Sequence, residues 1–217
     1  MNTELTECTN CNSKLKSGLL SNVSLLTYEK VNIINEYHNV KAKTYCNKCG
    51  SDLYNKYKTK LVDERNQLKL DLRRNISSIP VVSIHSPLNW NYEILSMITG
   101  QSTTGTGLLS EFTSTFTDIF GAQSGRLNRK FKEGEDFCFT QLRKQTLDLG
   151  GNAVIATDID YSEVGGGKGI LMVCMGGTAI KLKNLEILGE EIEENINRLY
   201  QFNNRIKELY NLYPDEF

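Results

Sequence analysis

The chain has 217 residues, of which 39% are hydrophobic and 24% charged, with a net charge of −1 and three prolines. These values fit one large or two small folded domains and exclude a disordered or linker-dominated protein. The N-terminus lacks a basic-then-apolar signal pattern and no apolar run is long enough to span a bilayer, so no membrane association and a cytoplasmic location with reduced thiols are expected.

The near-neutral total hides an asymmetry. Residues 1–80 hold 13 Lys and Arg against 8 Asp and Glu, whereas residues 81–217 hold 12 against 18. The basic front end admits a nucleic-acid partner. Four metal-bound thiolates there would remove part of the surplus and leave only a weak electrostatic footprint.

Two CxxC pairs dominate the first fifty residues, Cys8-Thr9-Asn10-Cys11 and Cys46-Asn47-Lys48-Cys49. Each is followed by a residue that tolerates positive φ, Asn12 and Gly50. The pattern predicts two knuckles closing on one tetrahedral Zn²⁺ per chain, with Cys8, Cys11, Cys46 and Cys49 as ligands. A redox role fits less well, since a redox CxxC sits at a helix N-terminus and does not need a second pair. His38 could replace one cysteine, but a single histidine on a polar loop is more simply solvated. Residues 1–53 therefore read as a zinc-ribbon-like module, with Leu25-Leu26 and Val31, Ile33, Ile34 as short strands and turns.

Residues 54–80 read as a connecting helix carrying Leu61, Leu68, Leu72 and Ile76. Tyr37, Tyr45, Tyr54 and Tyr57 are interleaved with Lys41, Lys43, Lys56, Lys58 and Lys60. That mix can stack on and neutralise nucleic acid, and it equally describes a solvated face. Pro80 and Pro87 bracket an extended piece, Val81–Ile84, and a domain boundary falls near residue 80.

A strand over Ile94–Thr99 runs into Gly100-Gln101-Ser102. Gly105–Gly125 places Leu108, Leu109, Phe112, Phe116, Ile119 and Phe120 at helical spacing. A long helix follows over about 125–149, with Leu127, Phe131, Cys138, Leu142 and Leu149 on one stripe and Gly150-Gly151 as its stop. Asn152–Tyr161 and Gly169–Leu182 read as two strands. The glycines of Gly165–Gly169 fit a hairpin turn better than a phosphate loop, because Gly169 and a strand follow Lys168 where a P-loop needs Ser or Thr and a helix.

Ile170–Met175 is apolar on both parities, which predicts a strand buried on both faces. One helix covers one face, and a neighbouring subunit is the natural cover for the other. Asp158 and Asp160 share a strand face about 7 Å apart, with Val154 and Ala156 on the same parity. They mark a speculative site for a hard cation or a basic partner, or else a strand end emerging into water. Residues 184–217 read as an amphipathic C-terminal helix in which Ile192, Ile196, Leu199, Asn203, Ile206 and Tyr210 follow a heptad-like spacing. Such a helix either pairs between subunits or docks on its own domain.

Several short motifs between Val81 and Lys183 carry a family resemblance. They are Ile98-Thr99-Gly100-Gln101-Ser102, Asp118-Ile119-Phe120-Gly121 with Ser124-Gly125, Leu149-Gly150-Gly151-Asn152-Ala153-Val154-Ile155, Asp158-Ile159-Asp160-Tyr161, and Met172-Val173 through Gly177-Thr178-Ala179. In this order they resemble the YbjQ-like family, described as heavy-metal-binding. The resemblance implies an α+β fold, a curved antiparallel sheet around a long helix of dodecin or YbjQ type, and a ring-shaped homo-oligomer, typically a pentamer. The family's metal label falls on a segment poor in soft ligands, where Cys138 and Cys174 read as buried and inert.

The expected organisation is a zinc-ribbon-like module (1–53), a connecting helix (54–80), a YbjQ-like oligomerisation domain (81–183) and a C-terminal helix (184–217). No nucleophile–base pair stands out; His85 lies among loop residues Ser83 and Ser86. The expected function is a non-enzymatic, homo-oligomeric, metal-binding scaffold whose zinc module meets a protein partner. The alternatives are a ring that binds a small ligand or metal at subunit interfaces, and a nucleic-acid-binding protein.

Overall fold

The computed structural model describes residues 7–15, 23–104, 124–164 and 170–214. Among these the elements run α1 (Tyr28–Tyr37), α2 (Asn47–Asn75), β1 (Tyr92–Thr104), α3 (Ser124–Asp148), β2 (Ala153–Val164), β3 (Ile170–Leu182) and α4 (Glu190–Leu212). Met1–Leu70 with Asn204–Phe217 form one unit and Asp71–Asn203 a second, the division falling within α2 and α4. The architecture is α+β, with a three-stranded antiparallel sheet in the second unit.

In the second unit the strand order is β1-β3-β2. The predicted extended piece after Pro80 lies along the outer edge of β2. Val81 bridges Val154 in parallel, and Val82 N–H donates to Val154 O while Val154 N–H donates to Pro80 O, both at 2.9 Å. Alternation on β3 decides what α3 covers. Val173, Met175 and Ala179 pack with Ile98, Val154, Cys138 and Leu142 in one buried cluster. The buried line of α3 runs Cys138, Leu142, Thr146, an i, i+4, i+8 series. Leu149 lies past the helix end and is exposed, so it leaves the predicted stripe. Gly150 caps the helix at φ 80 as expected.

Gly100 permits the close seat of α3. A Cβ at this position would lie 2.8 Å from Cys138 O. The strand can therefore approach the helix backbone only without a side chain.

The other face of the sheet, for which a neighbouring subunit is the expected cover, is only partly covered within the single chain. Near the start of β2, Val82, Trp90 and Tyr92 pack over Ala153, Ile155 and Ile180. Beyond that, Met172, Cys174, Gly176 and Thr178 are half-buried, and the neighbouring Ile94 and Met97 are 67% and 75% exposed. The single chain supplies no further helix for this face among the described residues.

A β-bulge corrects the placement of the aspartates. The register passes from Ile155↔Thr178 directly to Asp158↔Gly176, and Ala156 takes φ 53. The extra residue flips the alternation. Asp158 and Asp160 thus continue the face of Ala153 and Ile155, not that of Val154. Val164 pairs with Ile170, so 165–169 joins two antiparallel strands, as a hairpin requires. The structure of those residues and of 105–123 lies outside the described set.

The first unit corrects the strand reading between the two cysteine pairs. Val31, Ile33 and Ile34 lie in helix α1, not in strands. All three pack with Tyr45, Tyr57, Leu61, Leu209 and Tyr213. A short apolar run cannot distinguish strand from helix by itself. The helical choice lets three near-adjacent side chains reach one cluster. α2 begins at Asn47, immediately after Cys46. In α4 the buried series is Ile196, Leu199, Asn203, Ile206 and Leu209, continued by Tyr213 just past the helix end, while Ile192 and Tyr210 point outward. The tail therefore docks within its own chain, with Leu209 in the place expected for Tyr210.

One ion-pair network joins the first unit's pieces. Arg205 Nε donates to Glu64 Oε1 at 2.8 Å and its Nη2 to Glu36 Oε1 at 2.7 Å. Tyr37 Oη donates to Glu64 Oε2 at 2.6 Å, and Tyr213 Oη to Glu36 Oε2 at 3.1 Å. Burial would raise Glu64, but the bonds from Arg205 and Tyr37 outweigh it and hold its carboxyl below the usual range. Its folded pKa lies below its unfolded value, so the stabilisation is present above about pH 4.3 and is lost as pH falls through the folded pKa.

Two outcomes follow. Urea denaturation from pH 7 to pH 3 should show the first unit losing stability below about pH 4, and Arg205→Ala should flatten that dependence. Gly100→Ala should destabilise the second unit by about 1–3 kcal/mol, read as a shifted denaturation midpoint with the first unit's transition unchanged.

Candidate metal centre

Each knuckle is built by its own backbone. After Cys8, Asn12 N–H donates back to Cys8 O at 2.8 Å and Cys8 N–H donates to Ser13 O at 3.0 Å. Asn12 makes this turn at φ 54, as its residue type predicted. Gly50 serves differently. It lies in α2, where Cβ would meet Leu26 Cδ1 at 2.6 Å and Tyr45 Cβ at 2.7 Å, so absence of a side chain matters there and not positive φ.

Two threonines outside the CxxC pattern clasp the knuckles together. Thr44 N–H donates to Thr9 Oγ1 at 2.8 Å, and Thr9 N–H donates to Thr44 Oγ1 at 3.2 Å. Cys46 N–H donates to Cys8 Sγ at 3.2 Å, so a sulfur of one pair receives a donor from the other. The sequence carries no signal for the Thr9–Thr44 clasp, since it depends on a pairing 35 residues apart.

The result brings all four predicted cysteines together, with their Sγ atoms within 4.8 Å of one another. Cys8 and Cys49 Sγ are 3.6 Å apart, Cys11 and Cys46 3.6 Å, and Cys46 and Cys49 3.7 Å. None is disulfide-bonded. A tetrahedral ion with metal–sulfur bonds of about 2.3 Å holds its sulfurs roughly 3.8 Å apart. The spacing therefore fits a four-thiolate metal site. Cys8 and Cys46 are buried and Cys11 is exposed. Hydrogen bonds with Ser13 lower the Cys11 thiol to about 6, whereas burial pushes Cys49 up to about 12.

The second pair does lie at a helix N-terminus, the setting of a redox CxxC. Convergence of both pairs is what separates the two chemistries. A dithiol couple needs one CxxC, and four sulfurs at tetrahedral spacing are a ligand set. His38 is no part of it; its Nδ1 is hydrogen-bonded to Tyr57 Oη at 2.9 Å.

The remaining candidates sit in the second unit. Asp158 and Asp160 are exposed on the open sheet face. Asp160 pairs in register with Cys174, which pairs on its other side with Gln101. Asp160 Oδ1 accepts from Tyr161 N–H at 2.9 Å. Among the described residues no third carboxylate, thiol or imidazole joins the two aspartates in a metal-ligand cluster. Cys138 is buried, its thiol 3.5 Å from Val173 O and pushed up to about 11 by burial, as an inert core cysteine would be. Cys174 departs from that expectation, because its side of β3 is the uncovered one.

Residues 84–183 match the YbjQ family model, whose description is "Putative heavy-metal-binding". The matched residues lie within the second unit. A crystal structure of a protein with unknown function, of the DUF74 family from Pediococcus pentosaceus, aligns with 48% of this chain and 96% of its own at 18% identity and a TM-score of 0.34. The tetracysteine cluster lies outside the matched residues. No helix among the described residues is long and apolar enough to cross a membrane.

Serine at both Cys46 and Cys49 should abolish metal binding. In hydrogen exchange it should strip protection from the amides of Cys8, Asn12, Leu26 and Gly50 while those of Ile98 and Met175 stay protected. Unchanged protection at the four first-unit amides would contradict a structural metal.

Proposed function

We propose that this protein is a non-enzymatic, homo-oligomeric scaffold whose tetracysteine unit holds one structural Zn²⁺ and displays a recognition surface to a protein partner. The observation that carries the metal half is the set of sulfur separations near 3.6 Å. Four thiolates with no open position favour Zn²⁺ held for structure over a catalytic ion. The oligomeric half rests on the sheet face that exposes Ile94 and Met97 beside half-buried Met172 and Cys174. A second copy is the cover this face calls for. A ring, typically of five, is what the YbjQ resemblance adds. In a ring, weak individual contacts of the zinc units gain avidity toward a large or repeated partner.

A ring that also takes a small ligand or cation at its interfaces has one observation in its favour. A depression of about 440 Å³ on the open face is lined by Met97, Gln101, Asp158, Asp160 and Cys174 among others. Two of the four tyrosines that favour the nucleic-acid reading are withdrawn from stacking and a third is engaged. Tyr45 is fully buried and Tyr57 nearly so, Tyr37 is hydrogen-bonded to Glu64, and Lys60 lies 4.9 Å from the Tyr37 ring centroid.

Purified protein should carry about one zinc per chain by elemental analysis, and light scattering should give a mass several times that of the chain. Metal-free protein with intact first-unit exchange protection overturns the zinc reading, and a single-chain mass overturns the scaffold.

A further inference from the structure

β1 stands at the edge of the described sheet, and three backbone groups near its middle are bonded by side chains of α3. Gln101 N–H donates to Gln141 Oε1 at 2.9 Å, and Gln141 Nε2 donates to Gln101 O at 3.1 Å. One turn further along α3, Gln145 Nε2 donates to Thr99 O at 2.6 Å. A carboxamide carries the same donor and acceptor as a peptide group. Gln141 therefore occupies the place that a peptide of an adjoining strand would take, with both bonds made. The reach depends on Gly100, because Cys138 can press against the strand backbone there and Gln141 lies one turn beyond it.

An outward edge strand with β-branched and apolar residues is a template for another strand. β1 is 13 residues long, contains Ile94, Ile98, Thr99, Thr103 and Thr104, and carries no lysine or proline that would blunt its edge. We propose that Gln141 and Gln145 form a side-chain cap that keeps the outer edge of β1 from pairing with β1 of a second copy. The cap leaves the sheet face free while closing the sheet edge. Copies of this chain then meet elsewhere than along the outer edge of β1.

The test uses the full chain with both glutamines replaced, Gln141→Leu with Gln145→Leu, against wild type at equal concentration. Hydrogen exchange at the Gln101 amide, read in dilute protein before the mass has grown, should accelerate about tenfold, the loss of roughly one hydrogen bond's worth of protection. The Met175 amide, inside the sheet, should not change. Light scattering should show species larger than wild type that grow with time. Adding Gln101→Pro to this double variant removes the edge donor and should return the mass to the wild-type value. Unchanged exchange at Gln101, or faster exchange with no growth in mass, overturns the cap. So does growth that Gln101→Pro fails to suppress. Should the double variant not fold, Gln141→Ala alone provides the same exchange and mass comparison. Because every mass is read relative to wild type, the outcome does not depend on whether wild type is a ring.

Discussion

The second unit depends on one close approach, the backbone of α3 against the strand at Gly100. No side chain fits between that strand and Cys138 O. The contact sets the depth at which Cys138 and Leu142 enter the sheet's inner face. It also sets which side chains of α3 reach past the strand to its edge. A buried inner face, a closed edge and an open outer face are three results of one packing decision. Dispersion and burial hold it together, since a close-packed interface has no room for an inserted methyl group.

The first unit rests on different physics. Four cysteine sulfurs converge, and Cys49 also packs against a shared cluster around Tyr45 and Leu61. Arg205 bridges Glu36 and Glu64, so the end of α4 is bound to α1 and α2 by charge-assisted bonds as well as by Leu209 and Tyr213. The metal knuckles are consequently not alone in holding their fold. A small module without such support would depend on its ion outright.

Carboxamides recur as substitutes for peptide groups. Asn35 bonds both ways with the backbone of Ala42, and Asn152 does the same with Leu182. Gln141 repeats the arrangement on Gln101. Each finishes a backbone that ordinary pairing leaves open, as buried or edge polar groups require. Such pairs connect residues from 7 to 40 positions apart. No local pattern announces them, because an Asn or Gln that does this looks like any polar residue on a helix or loop.

What the sequence determined by itself is chemistry that local spacing encodes. Two CxxC pairs name a four-sulfur ligand set before any coordinates, the period of α3 places Cys138 and Leu142 inward, and β3 shows apolar residues on both parities. Tertiary structure decided the rest. Val31, Ile33 and Ile34 became helix because a common core with Tyr45 and Leu209 rewards it, and local propensity in so short a run does not choose. Ala156 shifted the aspartates to the opposite face, since one inserted residue reverses every side chain after it. The Thr9–Thr44 clasp and the glutamine cap exist only once distant backbones meet. Ligand identity is local, but the geometry that makes those ligands a site, and that leaves a sheet face uncovered, is a property of the packed chain.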